Sequence, residues 1–157
     1  MRSGSFMESR FLADSMLGKL AKWLRVMGFD THYQPFYREG EIGELVQEGR
    51  CLISRHRGTI DPYPNSVWIR SDRVKDQLHE MRNRGNFPLE RSKWFTRCLI
   101  CNVPLKEAKT QHFRDNVPEY VFYQHTTGIR VCPCCGRHFW PGTHRERMVK
   151  QLERWGF

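Results

Sequence analysis

Two Cys-x-x-Cys pairs, Cys98 with Cys101 and Cys132 with Cys135, constrain this chain more than any other feature of its sequence. The two-residue spacing lets both thiolates of one turn face a single ion, while backbone amides after the first cysteine donate to its sulfur. Two such turns supply four sulfurs, the full shell of a closed tetrahedral zinc site that folds a module and does no chemistry. Gly136, just past the second pair, gives the permissive φ that such a turn needs. The 30 residues between the pairs exceed the interval of about 15–20 seen in compact zinc ribbons. The strand-like runs Tyr120 to Gln124 and Gly128 to Val131 are expected to fill that interval as a hairpin. Two disulfides or a redox pair are the competing uses. The start of the chain is polar and lacks the apolar stretch of a secretory signal, so a reducing cytoplasmic setting is expected and weighs against disulfides. A redox pair has no need of a matched second pair. Cys134 reads as a bystander inside its turn and Cys51 as a buried strand thiol. His138 and His144 are potential ligands that four sulfurs make unnecessary.

The remainder of the chain must build its own core. Hydrophobic residues make up 39% of 157 positions, 10 of them Phe and 5 Trp, which excludes wholesale disorder. No apolar run approaches the roughly 18 residues of a membrane span. Net charge is +9, and the basic excess is spread over both halves of the chain. Arginines and lysines interleaved with aromatics favour a polyanion, nucleic acid before a membrane surface, over an inert solvated face.

Periodicity divides residues 8–90 from residues 91–157. Arg10 to Ala13 reads as a buried strand running into Asp14. Met16, Leu17, Leu20, Leu24 and Met27 recur at helical spacing as far as Gly28, a C-cap, and Lys19, Lys22 and Arg25 fall on the opposite, basic face. Thr31 to Tyr33, Cys51 to Ile53 and Val67 to Ile69 read as further strands. Ile42, Leu45 and Val46 mark a helix ending at Gly49, and Val74, Leu78 and Met81 mark another, N-capped by Ser71 or Asp72. This alternation predicts an α/β fold with a parallel sheet and flanking helices. In such sheets the site lies beyond the carboxyl ends of the strands, where Asp14 and the Arg55-His56-Arg57 run would sit. Gly85 to Arg97 reads as a linker. After the second cysteine pair, Thr143 and Glu146 have capping-box spacing, opening a helix that buries Met148, Leu152 and Trp155.

The run Phe11-Leu-Ala-Asp-Ser-Met-Leu-Gly-Lys-Leu-Ala-Lys-Trp-Leu-Arg25 resembles the opening of the Mut-seven C-terminal RNase family. Cys98-Leu-Ile-Cys-Asn102, Val117-Pro118 and Cys132-Pro-Cys-Cys-Gly-Arg-His-Phe-Trp-Pro-Gly-Thr-His144 are similar to its second half. The resemblance spans roughly Arg10 to Leu152. It implies a PIN-like nuclease domain followed by a zinc ribbon, and a ribonuclease whose clustered acids hold Mg²⁺ or Mn²⁺ to activate a water. Asp14 matches the first acid, with N-capping of the next helix as its bland alternative. The acid usual after the third strand is His56 here, in Ser54-Arg-His-Arg57, and Glu39 or Glu41 stands where the second acid is expected. Imidazole ligates Mn²⁺ but is a poor Mg²⁺ ligand. Two functions therefore stay open: a ribonuclease with a degenerate acidic site, and an inactive pseudo-nuclease that binds structured RNA such as a ribosome or tRNA. A DNA-binding or protein-interaction module is a more remote third. For any RNA, Lys19, Lys22, Arg25, Arg55 and Arg57 would hold the backbone, and Trp94, Phe95 and Trp140 would stack on bases unless the core claims them.

Overall fold

The computed structural model describes residues 9–84, 87–109, 114–125 and 127–157. Their packing divides the chain into two units, Met1–Asn102 and Val103–Phe157.

The first unit is built on four short parallel strands, β1 (Arg10–Ala13), β2 (Asp30–Tyr33), β3 (Cys51–Ser54) and β4 (Val67–Trp68), in the order β2-β1-β3-β4. Helices α1 (Gly18–Val26) and α2 (Glu41–Gln47) connect the first three strands. A single turn, α3 (Arg57–Ile60), lies between β3 and β4, and α4 (Val74–Asn83) follows. This is the parallel α/β architecture that the periodicity predicts. Strands buried on both faces explain the near-continuous apolar runs Phe11-Leu-Ala and Leu52-Ile. On one side Leu12, Leu52 and Ile60 form a core with Tyr37, Ile42, Leu45, Val46, Tyr63 and Trp68 packed against it. Elsewhere in the unit the rings of Phe11, Phe29 and Phe87 meet, Phe29 and Phe87 stacked at 4.5 Å.

Gly28 ends α1 as expected, and the geometry shows why glycine is needed. Its φ of +91° is left-handed, the Gly28 amide donates to the Arg25 carbonyl, and the Phe29 amide reaches back to Leu24. A Cβ here would also collide with the Lys93 carbonyl oxygen. Residues 93–102 lap over this end of the unit: Phe95 N–H donates to the Val26 carbonyl and Arg97 Nε to the Gly28 carbonyl. The stretch read as a linker thus contributes core, since Phe87 and Trp94 are both buried; its Gly85 and Asn86 lie outside the described residues.

Three local expectations give way. Met16 leaves the apolar stripe and is 73% exposed, because the helix opens at Gly18 and Met16 stays in the preceding turn. Neither Ser71 nor Asp72 caps α4, whose N-cap is Arg73; the Ser71 hydroxyl and amide are bonded to Glu80 instead. Arg25 is not on the basic face but buried, 7% exposed, for reasons given below.

The second unit contains a small antiparallel sheet, β5 (Lys106–Glu107), β6 (Arg130–Val131) and β7 (His138–Phe139), and two helices, α5 (Glu119–Gln124) and α6 (Thr143–Arg154). Val117, Val121 and Ile129 form one buried cluster in it, with Ala108, Phe122 and Trp140 packed against them. The strand-like run Tyr120 to Gln124 is therefore helix: Pro118 sets an extended entry and only Val121 of the helix is buried. No hairpin joins it to β6. Thr143 does not cap α6, because Gly142 holds the N-cap position and Thr143 is already inside the first turn. Met148 and Leu152 are buried as expected, while Trp155 stands just past the helix and is half-buried. Among the described residues no helix is long and apolar enough to cross a membrane.

Candidate functional site

The four cysteines of the paired turns come together. The Sγ atoms of Cys98, Cys101, Cys132 and Cys135 all lie within 4.8 Å of one another, and none of the six cysteines is in a disulfide. Four sulfurs at about 2.3 Å from a tetrahedral ion would stand roughly 3.8 Å apart, so the cluster needs little contraction to hold a metal ion such as zinc. The two turns repeat one another. Cys101 N–H points at the Cys98 sulfur and Cys135 N–H at the Cys132 sulfur, each at 3.4 Å. Each turn is followed by a left-handed residue, Asn102 at φ +62° and Gly136 at φ +74°, whose amide closes the turn onto the first cysteine's carbonyl. Asparagine is among the few non-glycine residues that adopt this conformation readily. Cys134 and His144 are exposed and His138 is half-buried, and all three lie outside the cluster.

Arg25 anchors the first turn. Its Nε donates to the Thr31 carbonyl at 2.9 Å, and its Nη1 donates to the carbonyls of Leu99 and Ile100, the two residues between Cys98 and Cys101, at 2.9 and 3.2 Å. Burial lowers its pKa, opposed by the field of Cys98 and other groups nearby. This guanidinium is committed to backbone carbonyls and is not placed to hold RNA. Asn102 acts alongside it, accepting from Thr31 N–H at 2.9 Å and donating to Asp30 at 2.7 Å.

The second candidate lies at the carboxyl edge of the parallel sheet. From β1 the chain crosses to β2 on one side, while β3 pairs on the other, so the strand order reverses between β1 and β3. A cleft forms where connections diverge in this way, outside the carboxyl ends of the two strands. Asp14 directly follows β1 there, 7% exposed, and the β3 residue Ser54 donates its hydroxyl to Asp14 Oδ2. The other carboxylate oxygen accepts from Met16 N–H at 2.8 Å, so Asp14 also organises the turn into α1. Ser54 Oγ in turn accepts from His56 N–H at 3.0 Å. Tyr37 donates to the Ala13 carbonyl at 2.7 Å, and its pKa is pushed up to about 12 by burial, with Asp14 and Glu41 adding to the effect.

The other predicted residues take different positions. Arg55, His56 and Arg57 are exposed beyond β3, with His56 Nδ1 3.1 Å from Thr59 Oγ1. Lys19 and Lys22 are exposed on α1. Glu41 opens α2 on the β2 side, where Arg38 N–H and the Gln34 amide bond its two oxygens and lower its pKa. Glu39 is exposed in the loop before it. Among the described residues the four cysteines alone bring three or more Cys, His, Asp or Glu side chains to ion-sharing distance. Asp14, Glu39, Glu41 and His56 are not gathered in that way. Trp94 is buried and Trp140 packs on the second unit's core, so neither is an open stacking surface. Sequence reasoning missed Ser54, Tyr37 and Trp68 at this edge; a serine ending a buried strand beside an aspartate is the signal that was available for the first.

No match to the chain was found among curated proteins. The model of the Mut7-C RNAse domain family matches residues 9–152, from just before β1 to the last turn of α6. With both paired-cysteine turns and the Asp14 edge inside that span, the chain belongs to the Mut7-C RNAse domain family.

Proposed function

We propose that this protein acts on RNA at the carboxyl edge of its parallel sheet, as a metal-dependent ribonuclease with a reduced set of acids. The observation that carries the reading is Asp14, a buried carboxylate oriented by Ser54 and Met16 N–H where the strand order reverses, with the exposed cations Arg55 and Arg57 following Ser54 in the chain. Each Asp14 oxygen keeps a lone pair after its one hydrogen bond, so the carboxylate can still take an ion. The donors suit a single Mg²⁺ or Mn²⁺ that draws most of its shell from water and RNA phosphate. Such an ion, when bound, supplies an activated water and charge stabilisation at phosphorus. An imidazole in the place of the family's usual acid, as at His56, suits Mn²⁺ better than Mg²⁺. The chain's own part is to orient Asp14 through Ser54, to hold the RNA backbone with Lys19, Lys22, Arg55 and Arg57, and to keep Tyr37 neutral as a donor to Ala13. In this reading the four-cysteine centre is a structural zinc site, and the setting is cytoplasmic.

The test is RNA cleavage by the purified protein with Mn²⁺ or Mg²⁺, beside an Asp14→Asn variant. Mn²⁺-dependent cleavage that falls at least a hundredfold in the variant is expected. Equal activity in the two proteins removes Asp14 from the mechanism. One observation favours a second reading: with His56 in the acid's place, a single carboxylate faces a basic rim, an arrangement suited to gripping phosphate without cutting it. A pseudo-nuclease of that kind would bind structured RNA, such as tRNA or ribosomal RNA, with a steep salt dependence and no turnover.

A further inference from the structure

On the β4 side of Asp14 the structure holds a group of arginines of which the acid-centred reading uses only Arg55 and Arg57. The guanidinium of Arg57 lies 4.8 Å from the centre of the Trp68 ring, and that of Arg70 lies 4.5 Å from it. Trp68 is fixed from below by the Leu12, Leu52 and Ile60 core and by its indole N–H, which donates to the Arg55 carbonyl at 3.2 Å. Arg84 reaches in as well, donating to the Trp68 carbonyl at 3.0 Å. Arg55, Arg57, Arg70 and Arg84 are all exposed; among the described residues Arg55, Arg57 and Arg70 show no ion pair with a carboxylate, while the charge of Arg84 acts on Glu80, whose carboxylate also accepts from the Arg70 and Ser71 amides. A guanidinium stacked on an indole uses its π face and leaves its N–H edge free, a planar fork matched to two phosphate oxygens. Stacking also restricts the long side chain beforehand, so less freedom is lost when an anion binds. The β2 side has the opposite character, with Glu39, Glu41 and Glu44 against Arg38 alone in residues 38–44.

We propose that Arg57 and Arg70, ordered on Trp68 with Arg55 and Arg84 beside them, form a second phosphate-binding station, so that an RNA strand leaves Asp14 across β3 toward β4 and not toward β2. This rests on the RNA reading above, and extends it to Arg70, Arg84 and Trp68. The experiment is anisotropy of a labelled single-stranded oligoribonucleotide at several salt concentrations, with the full chain loaded with zinc. For Arg57→Gln/Arg70→Gln the affinity should fall about tenfold or more at low salt. The slope of log K against log salt should shrink by about 1.4, roughly 0.7 for each phosphate that no longer has a cation to neutralise it. Arg57→Lys/Arg70→Lys should keep most of the slope while recovering only part of the affinity. In the unmutated protein, the Trp68 indole N–H resonance, assigned with Trp68→Phe, should shift on RNA addition, a readout that needs no arginine variant to fold. If the protein binds RNA but the double glutamine variant binds with the same affinity and slope and the resonance stays in place, the station is refuted and the RNA reading stands. If the unmutated protein binds no RNA at low salt, both fail together.

Discussion

Replacing Arg25 by methionine should destabilise the first unit and loosen its hold on the metal, although Arg25 touches no sulfur in its three side-chain hydrogen bonds. The substitution keeps most of the side chain's volume and removes the donors to Thr31, Leu99 and Ile100. A bond from a charged donor to a buried carbonyl contributes about 1.5–3 kcal/mol net, and the two bonds of Nη1 share one nitrogen. Burying a cation carries its own penalty, which the variant escapes. Taking the three bonds as about two full ones and subtracting part of that penalty leaves a loss of about 3 kcal/mol. In a domain of about 100 residues each kcal/mol is worth roughly 4 °C or more, so Tm should drop by about 12 °C. Since Leu99 and Ile100 are the inner residues of the Cys98–Cys101 turn, zinc should also pass faster to a chromophoric chelator. Arg25→Lys should fall between the two, because one ammonium cannot serve carbonyls on two segments. Melting curves and zinc-release rates check both effects. An Arg25→Met protein that melts and releases zinc like its parent would refute the anchoring argument and return Arg25 to the solvent face of α1.

Other expectations follow from the same geometry. Cys132→Ser, or removal of zinc by a chelator, should open residues 103–157 to hydrogen exchange and proteolysis while the β1–β4 sheet stays protected, because a four-sulfur centre supplies folding energy to the module built around it. Gly28→Ala should cost about 3 kcal/mol or more by chemical denaturation, combining a left-handed φ with a collision against backbone; Gly49→Ala, with φ +94° but nothing within 4 Å, should cost only about 1 kcal/mol. Tyr37 has a folded pKa raised to about 12 from an unfolded value of 10.0, so its contribution is fully present below pH 10.0 and is lost as pH rises toward 12. The stability gap between the parent and Tyr37→Phe should therefore narrow over that window, and a constant gap would deny the shift.

The sheet was legible because its strands are short apolar runs with helical periodicity between them, and Gly28 and Gly49 mark the helix ends. The metal centre was legible because spacing alone brings two thiolates to one turn. Arg25 was not. Lys19, Lys22 and Arg25 are three apart, and at 100° per residue each step of three falls 60° short of a full turn. By Arg25 the direction has swung about 120° from Lys19, toward the buried stripe, and the carbonyls awaiting it are 74 and 75 residues away in sequence. The run Tyr120 to Gln124 has strand-forming residues, but Pro118-Glu119 starts a helix and tertiary burial of Val121 completes it. Thr143 failed as a cap by a single residue, since Gly142 can take the extended cap conformation itself. At the site, Asp14 could be placed from its strand, whereas Ser54, Tyr37 and the arginines on Trp68 depend on strand order, which no local pattern encodes.

Thr31 carries a consequence beyond the metal site. It lies on β2, an edge strand, and both its N–H and its C=O are bonded to side chains, of Asn102 and Arg25. An open sheet edge is a template on which another chain can lay a strand, and from there aggregates grow. Here the middle of that edge is already occupied by an amide and a guanidinium, and the opposite edge, β4, is only two residues long. The residues that brace the first cysteine turn thus also keep the sheet from recruiting its neighbours in a concentrated solution.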